Sequence, residues 1–107
     1  MDMIQDSQII DKIKVIAHQY LPNAQVLLFG SRVRNDFRKD SDYDILLVIN
    51  ENLSPEEKIP ILTKIRKSLL HSEIRSDILI QSKNELEKNK NLPGHIIRNI
   101  LKEAIVL

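Results

Sequence analysis

The stretch from Phe29 to Val48, FGSRVRNDFRKDSDYDILLV, constrains the fold of this chain more than any other part of the sequence. A Gly-Ser pair closes one apolar run, ten residues rich in arginine follow, and an Asp-x-Asp pattern opens a second apolar run. Residues two apart on a strand share a face, so Asp42 and Asp44 are expected side by side, with Tyr43 pointing the other way. Two such carboxylates repel each other unless a cation lies between them, and Mg²⁺ is the cation that suits oxygen ligands of this kind.

The rest of the chain alternates between helical and strand patterns, which predicts an α/β fold. Ser54 with Glu57, and Ser82 with Glu85, form capping boxes that mark helix starts. Pro60 predicts a kink or a delayed start in the helix that follows Ser54. The predicted elements are a helix over 7–20 capped by Asp6 or Ser7, a strand over 24–29, a possible helical turn within 31–41, a strand over 42–49, a helix to about 71, a strand over 74–81, a short helix after 82, and a last helix over about 95–104.

A third aspartate, Asp77, lies within the strand predicted over 74–81. An unpaired carboxylate in an apolar strand destabilises the fold by several kcal/mol, so its presence there indicates a functional role. One interpretation makes Asp42, Asp44 and Asp77 the catalytic and metal-binding triad for two Mg²⁺ ions about 4 Å apart, with Asp77 also able to take the proton of an attacking hydroxyl. The alternative is that Asp-x-Asp is a common surface pattern.

The Gly-Ser pair and the arginines after it suggest a phosphate site. Gly30 lets the backbone approach a phosphate closely, and the N–H groups beyond it, together with the Ser31 hydroxyl, are suited to the β- and γ-phosphates of a nucleotide. Arg32 and Arg34 are placed to neutralise the triphosphate. The alternative is an ordinary turn, but its occurrence ten residues before the aspartates favours a nucleotide-binding function.

These motifs resemble the signature of the DNA polymerase β-type nucleotidyltransferases: Gly-Ser, ten residues, then Asp-x-Asp. The size of the chain makes it similar to the minimal nucleotidyltransferase (MNT) branch. The resemblance covers most of the chain and implies a small mixed β-sheet flanked by helices. It implies that Gly30 and Ser31 bind the nucleotide and that Asp42, Asp44 and Asp77 form the catalytic triad. Asn35 departs from the pattern, since many relatives have glycine there.

The resemblance also implies a function. MNT proteins of this size resemble antitoxins of HEPN/MNT toxin-antitoxin pairs, which transfer AMP from ATP to a tyrosine of a HEPN-type toxin, with Mg²⁺ as cofactor. Two alternatives stay open: an antitoxin that acts by binding alone, and nucleotidyl transfer to a small molecule such as an aminoglycoside. The acceptor, the preferred nucleotide and the stoichiometry of a hetero-oligomer are not specified by the motifs.

Length and composition restrict the number of domains and the possible ligands. With 107 residues, we expect one domain over 1–107. The net charge of +1 gives no broad field for nucleic acid or membranes, and the absence of cysteine excludes thiolate zinc sites and fits a cytoplasmic setting. The three histidines share no ligand spacing, the lysine-rich stretches lack interleaved aromatic residues, and Tyr43 and Phe37 either stack on a ligand or pack in the core.

The last predicted helix carries more apolar surface than one core stripe requires. Surplus apolar surface near a chain end is typical of an interface, which favours a protein partner. The apolar residues concerned are Ile96, Ile97, Ile100, Leu101 and Ile105.

Overall fold

A computed structural model describes residues 3–34 and 41–107 of the chain, with side chains from residue 7 onward. The elements follow in the order α1 (Met3–Tyr20), β1 (Gln25–Phe29), α2 (Ser31–Arg34), β2 (Tyr43–Ile49), α3 (Pro55–His71), β3 (Ser76–Ser82), α4 (Lys83–Asn89), α5 (Ile96–Glu103) and β4 (Ile105–Val106). The predicted alternation of helices and strands is confirmed. Within the described residues, no helix is both long enough and apolar enough to cross a membrane.

The four strands form one mixed sheet in the order β3-β2-β1-β4. β1 pairs antiparallel with β2 and with β4, whereas β2 and β3 run parallel. Parallel neighbours need a crossover connection, and α3 supplies it. The mixed sheet flanked by helices agrees with the sequence-based prediction.

Both faces of the central strand are covered. The run from Ile45 to Ile49 is buried throughout, which explains why β2 is apolar without alternation once it has passed its carboxylates. Each such side chain stabilises the fold by about 1.5–3 kcal/mol when it leaves water. β2 is therefore the most rigid support that the sheet offers for side chains at its beginning.

The two faces belong to different helices. On one face, Ile45 and Leu47 pack with Ile13 of α1 and with Ile65 and Leu69 of α3. On the other face, a smaller cluster joins the sheet to α5 and includes Leu27, Leu46, Val48, Ile97 and Ile100. The alternation predicted for β3 is confirmed, since Ile78 and Ile80 belong to the first cluster and Leu79 packs against the second.

Both predicted capping boxes are present. The Ser54 hydroxyl accepts from the Glu57 N–H at 3.2 Å, and the Ser82 hydroxyl accepts from the Glu85 N–H at 3.0 Å, with each glutamate accepting in return from the serine N–H. Hydrogen bonds from Ser54 lower the pKa of Glu57. Helix α3 starts directly after its cap, so a delayed start is wrong, and the helix continues through Pro60.

Among the boundaries that differ from prediction, three change the role assigned to a residue. α1 begins at Met3, so Asp6 and Ser7 lie within the helix and are not its caps; neither glycine nor proline precedes them to stop it. β2 begins at Tyr43, which leaves Asp42 just outside the strand. Ile105 does not continue the apolar face of α5, because the helix ends at Glu103 and Ile105 pairs with Leu28 as part of β4.

Candidate active site

Tyr43 fixes the direction in which the neighbouring carboxylates point. Its ring is buried in the cluster under α1 and α3, and the guanidinium of Arg32 lies 4.3 Å from the ring centroid. An Nη atom of Arg32 also donates to the Ser41 carbonyl at 2.8 Å. Tyr43 therefore packs in the core, and Arg32 holds the start of β2 in place. Because side chains alternate along a strand, Asp44 emerges on the opposite face, toward α5.

Asp44 and Asp77 meet across the parallel pair of strands. They are register partners, so their Cα atoms are one strand spacing apart, about 4.8 Å. Burial raises the pKa of Asp44, and the nearby charges of Asp77 and Asp42 raise it further, while Arg34 acts in the opposite direction. The aspartates predicted from sequence thus influence one another. Of the three, Asp44 is half-buried, whereas Asp42 and Asp77 are exposed.

The turn after α3 brings Asp77 to this position. Glu73 adopts a left-handed conformation with φ of 62°, and the N–H groups of Glu73 and Ile74 donate to the carbonyls of Leu70 and Leu69. This is a Schellman turn with glutamate where glycine is usual. The chain then reaches Arg75, whose carbonyl accepts from the Tyr43 N–H at 3.0 Å and so sets the register of β3 against β2.

Gly30 lies against the Asp44 carboxylate. Its φ is +80°, and a Cβ added to it would lie 2.0 Å from Asp44 Oδ2. Phe29, the residue before it, is the cross-strand partner of Asp44 in the antiparallel pairing. Glycine is therefore required here for two reasons, backbone conformation and space. The Gly-Ser turn and the first strand aspartate form one unit.

Ser31 and Arg34 belong to the short helix α2, which confirms the predicted helical turn after Gly30. The N–H groups of Val33 and Arg34 both donate to the Gly30 carbonyl, at 3.0 and 3.1 Å. Ser31 is half-buried and Arg34 is exposed. Asn35 and Phe37, which the sequence analysis singled out, lie outside the described residues.

Glu103, which the sequence analysis did not single out, completes this side of the site. Its Oε1 accepts from the Gly30 N–H at 3.0 Å, and its carboxylate forms an ion pair with Arg34 Nη1 at 3.1 Å. A glutamate in the last turn of a helix is unfavourable, because the C-terminal end of the helix dipole is negative. That misplaced charge, at the end of α5, was the signal in the sequence that could have revealed Glu103.

Two cavities flank the aspartates. One, of about 360 Å³, lies between the Gly-Ser turn and α5 and reaches Asp44. Its walls are Phe29, Gly30, Arg34, Asp44, Ile96, Asn99, Ile100 and Glu103. The other, of about 220 Å³, lies beside Asp42 on the α3 side of the sheet. The aspartates therefore stand at the boundary between two separate spaces.

The donor set around Asp44 suits a hard divalent cation. Asp44 and Asp77 bring carboxylates together on adjacent strands. The pKa of Asp44 is raised first by burial and then by the charges of Asp77 and Asp42, and a bound cation would offset these effects. Carboxylate oxygens are the ligands that Mg²⁺ prefers. Among the described residues, however, no three carboxylate or imidazole groups already converge closely enough to hold a metal ion.

A family model for polymerase beta nucleotidyltransferases matches residues 11–107. The chain belongs to this family. The strands, the Gly-Ser turn and the aspartates described above all lie within the matched residues. The identification agrees with the resemblance drawn from the Gly-Ser and Asp-x-Asp motifs.

One curated protein and two solved structures are similar to this chain. The chain is 36% identical over 59 residues to a spectinomycin 9-adenylyltransferase from Enterococcus faecalis, and the match covers 53% of this chain and 23% of that enzyme. The chain thus spans about a quarter of the length of the curated relative. A crystal structure described as that of a candidate nucleotidyltransferase shares the fold with a TM-score of 0.64 and 24% identity, covering 92% of this chain and 96% of the other. A second such structure, from Sulfolobus solfataricus, has a TM-score of 0.59 and 18% identity over 99% and 87% of the two chains.

The first prediction concerns Gly30 and uses Gly94 as its control. Both residues have left-handed φ values, +80° and +76°, but a Cβ at Gly94 would meet nothing within 4 Å. Gly94→Ala should therefore cost about 1–2 kcal/mol from backbone strain alone. Gly30→Ala should cost clearly more in denaturant unfolding, because its methyl group displaces the Asp44 carboxylate. In an Asp44→Ala background the excess should disappear; equal costs for both glycines would show that the close approach is unimportant.

The second prediction concerns Asp44 and pH. Because the folded chain retains the Asp44 proton to higher pH than the unfolded chain, stability falls as pH rises from the ordinary value of 3.8 through the raised pKa. Asp44→Asn should therefore stabilise the metal-free protein at pH 7.5, by up to about 1 kcal/mol after solvent screening, and the gain should vanish near pH 3. Urea unfolding in the presence of chelator measures it. Asp11→Asn, on the exposed side of α1, is the control; a loss of stability in Asp44→Asn would instead mark a structural hydrogen bond.

Proposed function

We propose that this chain transfers AMP from ATP to a tyrosine of a HEPN-type toxin and so acts as the antitoxin of the pair. The observation that carries the proposal is the contact of the Asp44 carboxylate with Gly30, with Asp77 as its register partner. Family membership supports the nucleotidyl transfer, and the relative named as an adenylyltransferase supports AMP as the transferred group.

In this proposal the nucleotide enters the cavity between the Gly-Ser turn and α5. The Gly30 N–H and the Ser31 hydroxyl bind the β- and γ-phosphates, and Arg34 offsets their charge. Arg32 contributes less directly, since its guanidinium already packs on Tyr43 and donates to Ser41. Asp42, Asp44 and Asp77 would hold two Mg²⁺ ions, which supply neutralisation of the phosphate oxygens when bound.

The chemistry follows from these positions. The tyrosine oxygen attacks the α-phosphorus of ATP, a new P–O bond forms, and the bond between the α-phosphorus and the bridging oxygen of pyrophosphate breaks. The phenolic proton passes to the Asp77 carboxylate, which is exposed and can face an incoming acceptor. Pyrophosphate leaves on the side of Gly30 and Arg34.

Glu103 must give way to the nucleotide under this proposal. Its carboxylate accepts from the Gly30 N–H, which a phosphate oxygen needs, and it neutralises Arg34. A second negative group in the same place would repel the triphosphate. Under this proposal, the Glu103 carboxylate occupies, in the nucleotide-free chain, the position that a phosphate group takes when ATP binds. The release of Glu103 is therefore part of nucleotide binding.

The third prediction tests the binding of ATP, the donor of the AMP group, by calorimetry. ATP should bind only with Mg²⁺ and lose its binding when chelator is added. Glu103→Gln should bind MgATP about three- to tenfold more tightly, because the competing charge is removed while the side-chain shape is kept. Glu87→Gln, on the exposed face of α4, should bind as the unchanged chain does. Equal ATP binding without divalent metal would contradict the two-metal assignment, and weaker binding by Glu103→Gln would show that Glu103 supports the nucleotide.

The fourth prediction tests the acceptor. When the chain is co-expressed with a HEPN-type partner, intact mass spectrometry should show the partner heavier by AMP units, and only with ATP, Mg²⁺ and intact Asp42 and Asp44. Protection from the toxin should persist after the two proteins are separated, because a covalent bond outlasts the contact. Protection that survives Asp42→Ala with Asp44→Ala, and ends on separation, would identify an antitoxin that acts by binding.

Transfer to a small molecule is the second candidate function. The relative named for spectinomycin favours it, although the match covers only 23% of that enzyme. The same mass measurement on spectinomycin and on aminoglycosides distinguishes this candidate, since a product heavier by AMP would appear in the small-molecule fraction.

A further inference from the structure

The smaller cavity, beside Asp42, has an unusual set of walls. It has a volume of about 220 Å³ and is lined by Asp42, Arg66, Leu70, Arg75 and Ser76. Arg66 and Leu70 lie one helical turn apart on α3, and Arg75 and Ser76 come from the chain that enters β3. We call it the arginine cavity.

Two arginines, Arg66 and Arg75, line this small space, and Asp42 is the carboxylate among its walls. In the described part of the chain, neither Arg66 nor Arg75 takes part in any of the ion pairs, which join other residues. Both arginines are exposed, and because like charges repel, an anion that joins them in the cavity is favoured. Guanidinium groups are suited to carboxylate and phosphate because they donate two parallel hydrogen bonds.

Ser76 adds an independent observation. Its residue is only 6% exposed, and its hydroxyl has no hydrogen-bond partner among the described residues. A buried hydroxyl without a partner is costly, and most such groups in proteins are satisfied. Because Ser76 is one of the residues that line the arginine cavity, a ligand there is a candidate partner for this buried hydroxyl.

The position of the arginine cavity relates it to the reaction. Asp42 lines this cavity, while Asp44 lines the larger cavity that also contains Gly30 and Arg34. In a displacement at phosphorus, the attacking and leaving oxygens lie on opposite sides of the phosphorus atom. If pyrophosphate leaves on the Gly30 side, the acceptor approaches from the side of Asp42.

We propose that the arginine cavity is an acceptor subsite, in which Arg66, Arg75 and Ser76 bind the carboxylate of an acidic side chain close to the acceptor tyrosine. The inference rests on the proposed function, because it assumes a protein acceptor. The bound carboxylate brings the tyrosine oxygen to the aspartates from the Asp42 side, where its proton passes to Asp77. Arg66 and Arg75 act as positioning residues that set which tyrosine is modified. A cationic small molecule is disfavoured at the same place.

The test measures binding without ATP, so that it does not depend on transfer. The isotopically labelled chain is titrated with acetyl-Glu-Tyr-amide and with acetyl-Gln-Tyr-amide, and NMR signals of Ser76 and of the Arg66 and Arg75 side chains are followed. The glutamate peptide should shift these signals and bind about tenfold more tightly than the glutamine peptide. Arg66→Gln with Arg75→Gln should remove that preference, whereas Lys67→Gln, an exposed neighbour on α3, should keep it.

Equal binding of the two peptides would overturn the inference, and so would an unchanged preference in the double variant. A titration with spectinomycin that shifts the same signals more strongly than the glutamate peptide does would also overturn it. Inorganic phosphate is titrated separately; if it shifts these signals and the glutamate peptide does not, the cavity is a phosphate site and the inference fails. If AMP is transferred to a protein acceptor and the amount transferred does not change when Arg66 and Arg75 are replaced, the inference also fails, while the proposed function stays intact. Peptide binding as expected, without AMP transfer to any protein, would leave the anion site standing and remove the proposed function.

Discussion

The close approach between Gly30 and the Asp44 carboxylate is the constraint on which the rest of the site depends. It can exist only if β1 and β2 pair with Phe29 opposite Asp44, and this register is maintained by a buried antiparallel ladder. A slip of one residue would turn Tyr43 out of the core and Asp44 into it. The hydrophobic packing of β2 therefore does more than stabilise the sheet, because it determines where a carboxylate meets a backbone turn.

Charge is distributed around that contact in an ordered way. Negative groups, Asp42, Asp44, Asp77 and Glu103, lie at the centre, and arginines lie on both sides of them. Arg34 belongs to the cavity next to α5, and Arg66 and Arg75 belong to the arginine cavity. The small net charge of the chain conceals this pattern, since a balanced total is compatible with strong local separation.

The sequence revealed features whose causes are local. Capping boxes at Ser54 and Ser82 were predictable because hydrogen bonds three residues apart specify them, and the faces of β3 were predictable because alternation is a property of the strand itself. The contacts of Glu103 with Gly30 and Arg34, and the arginine cavity, were not predictable. They depend on α5 and α3 returning to the sheet from distant parts of the chain, and no local pattern encodes which charge will face which turn.

Some expectations failed for a related reason. Asp77 was expected to be a costly carboxylate within an apolar strand, but it is exposed and Asp44 is the half-buried aspartate, because β3 is the outer strand of the sheet and β2 lies inside it. Ile105 was assigned to the helix because apolar periodicity does not show where the helix ends and backbone pairing with β1 begins. In both cases the neighbouring strand decided the outcome.

The two-residue strand β4 holds one side of the site less firmly than β2 holds the other side. It follows α5 after Ala104, pairs with Leu27 and Leu28, and is continued by the Leu107 N–H donating to Val26. The segment carrying Glu103 is thus anchored to the sheet edge by few backbone hydrogen bonds, whereas Asp44 is embedded in the strand with the most buried neighbours. Thermal fluctuation should therefore be concentrated on the side of the site that a charged ligand has to open, and the carboxylates on β2 should keep their positions while that edge opens and closes.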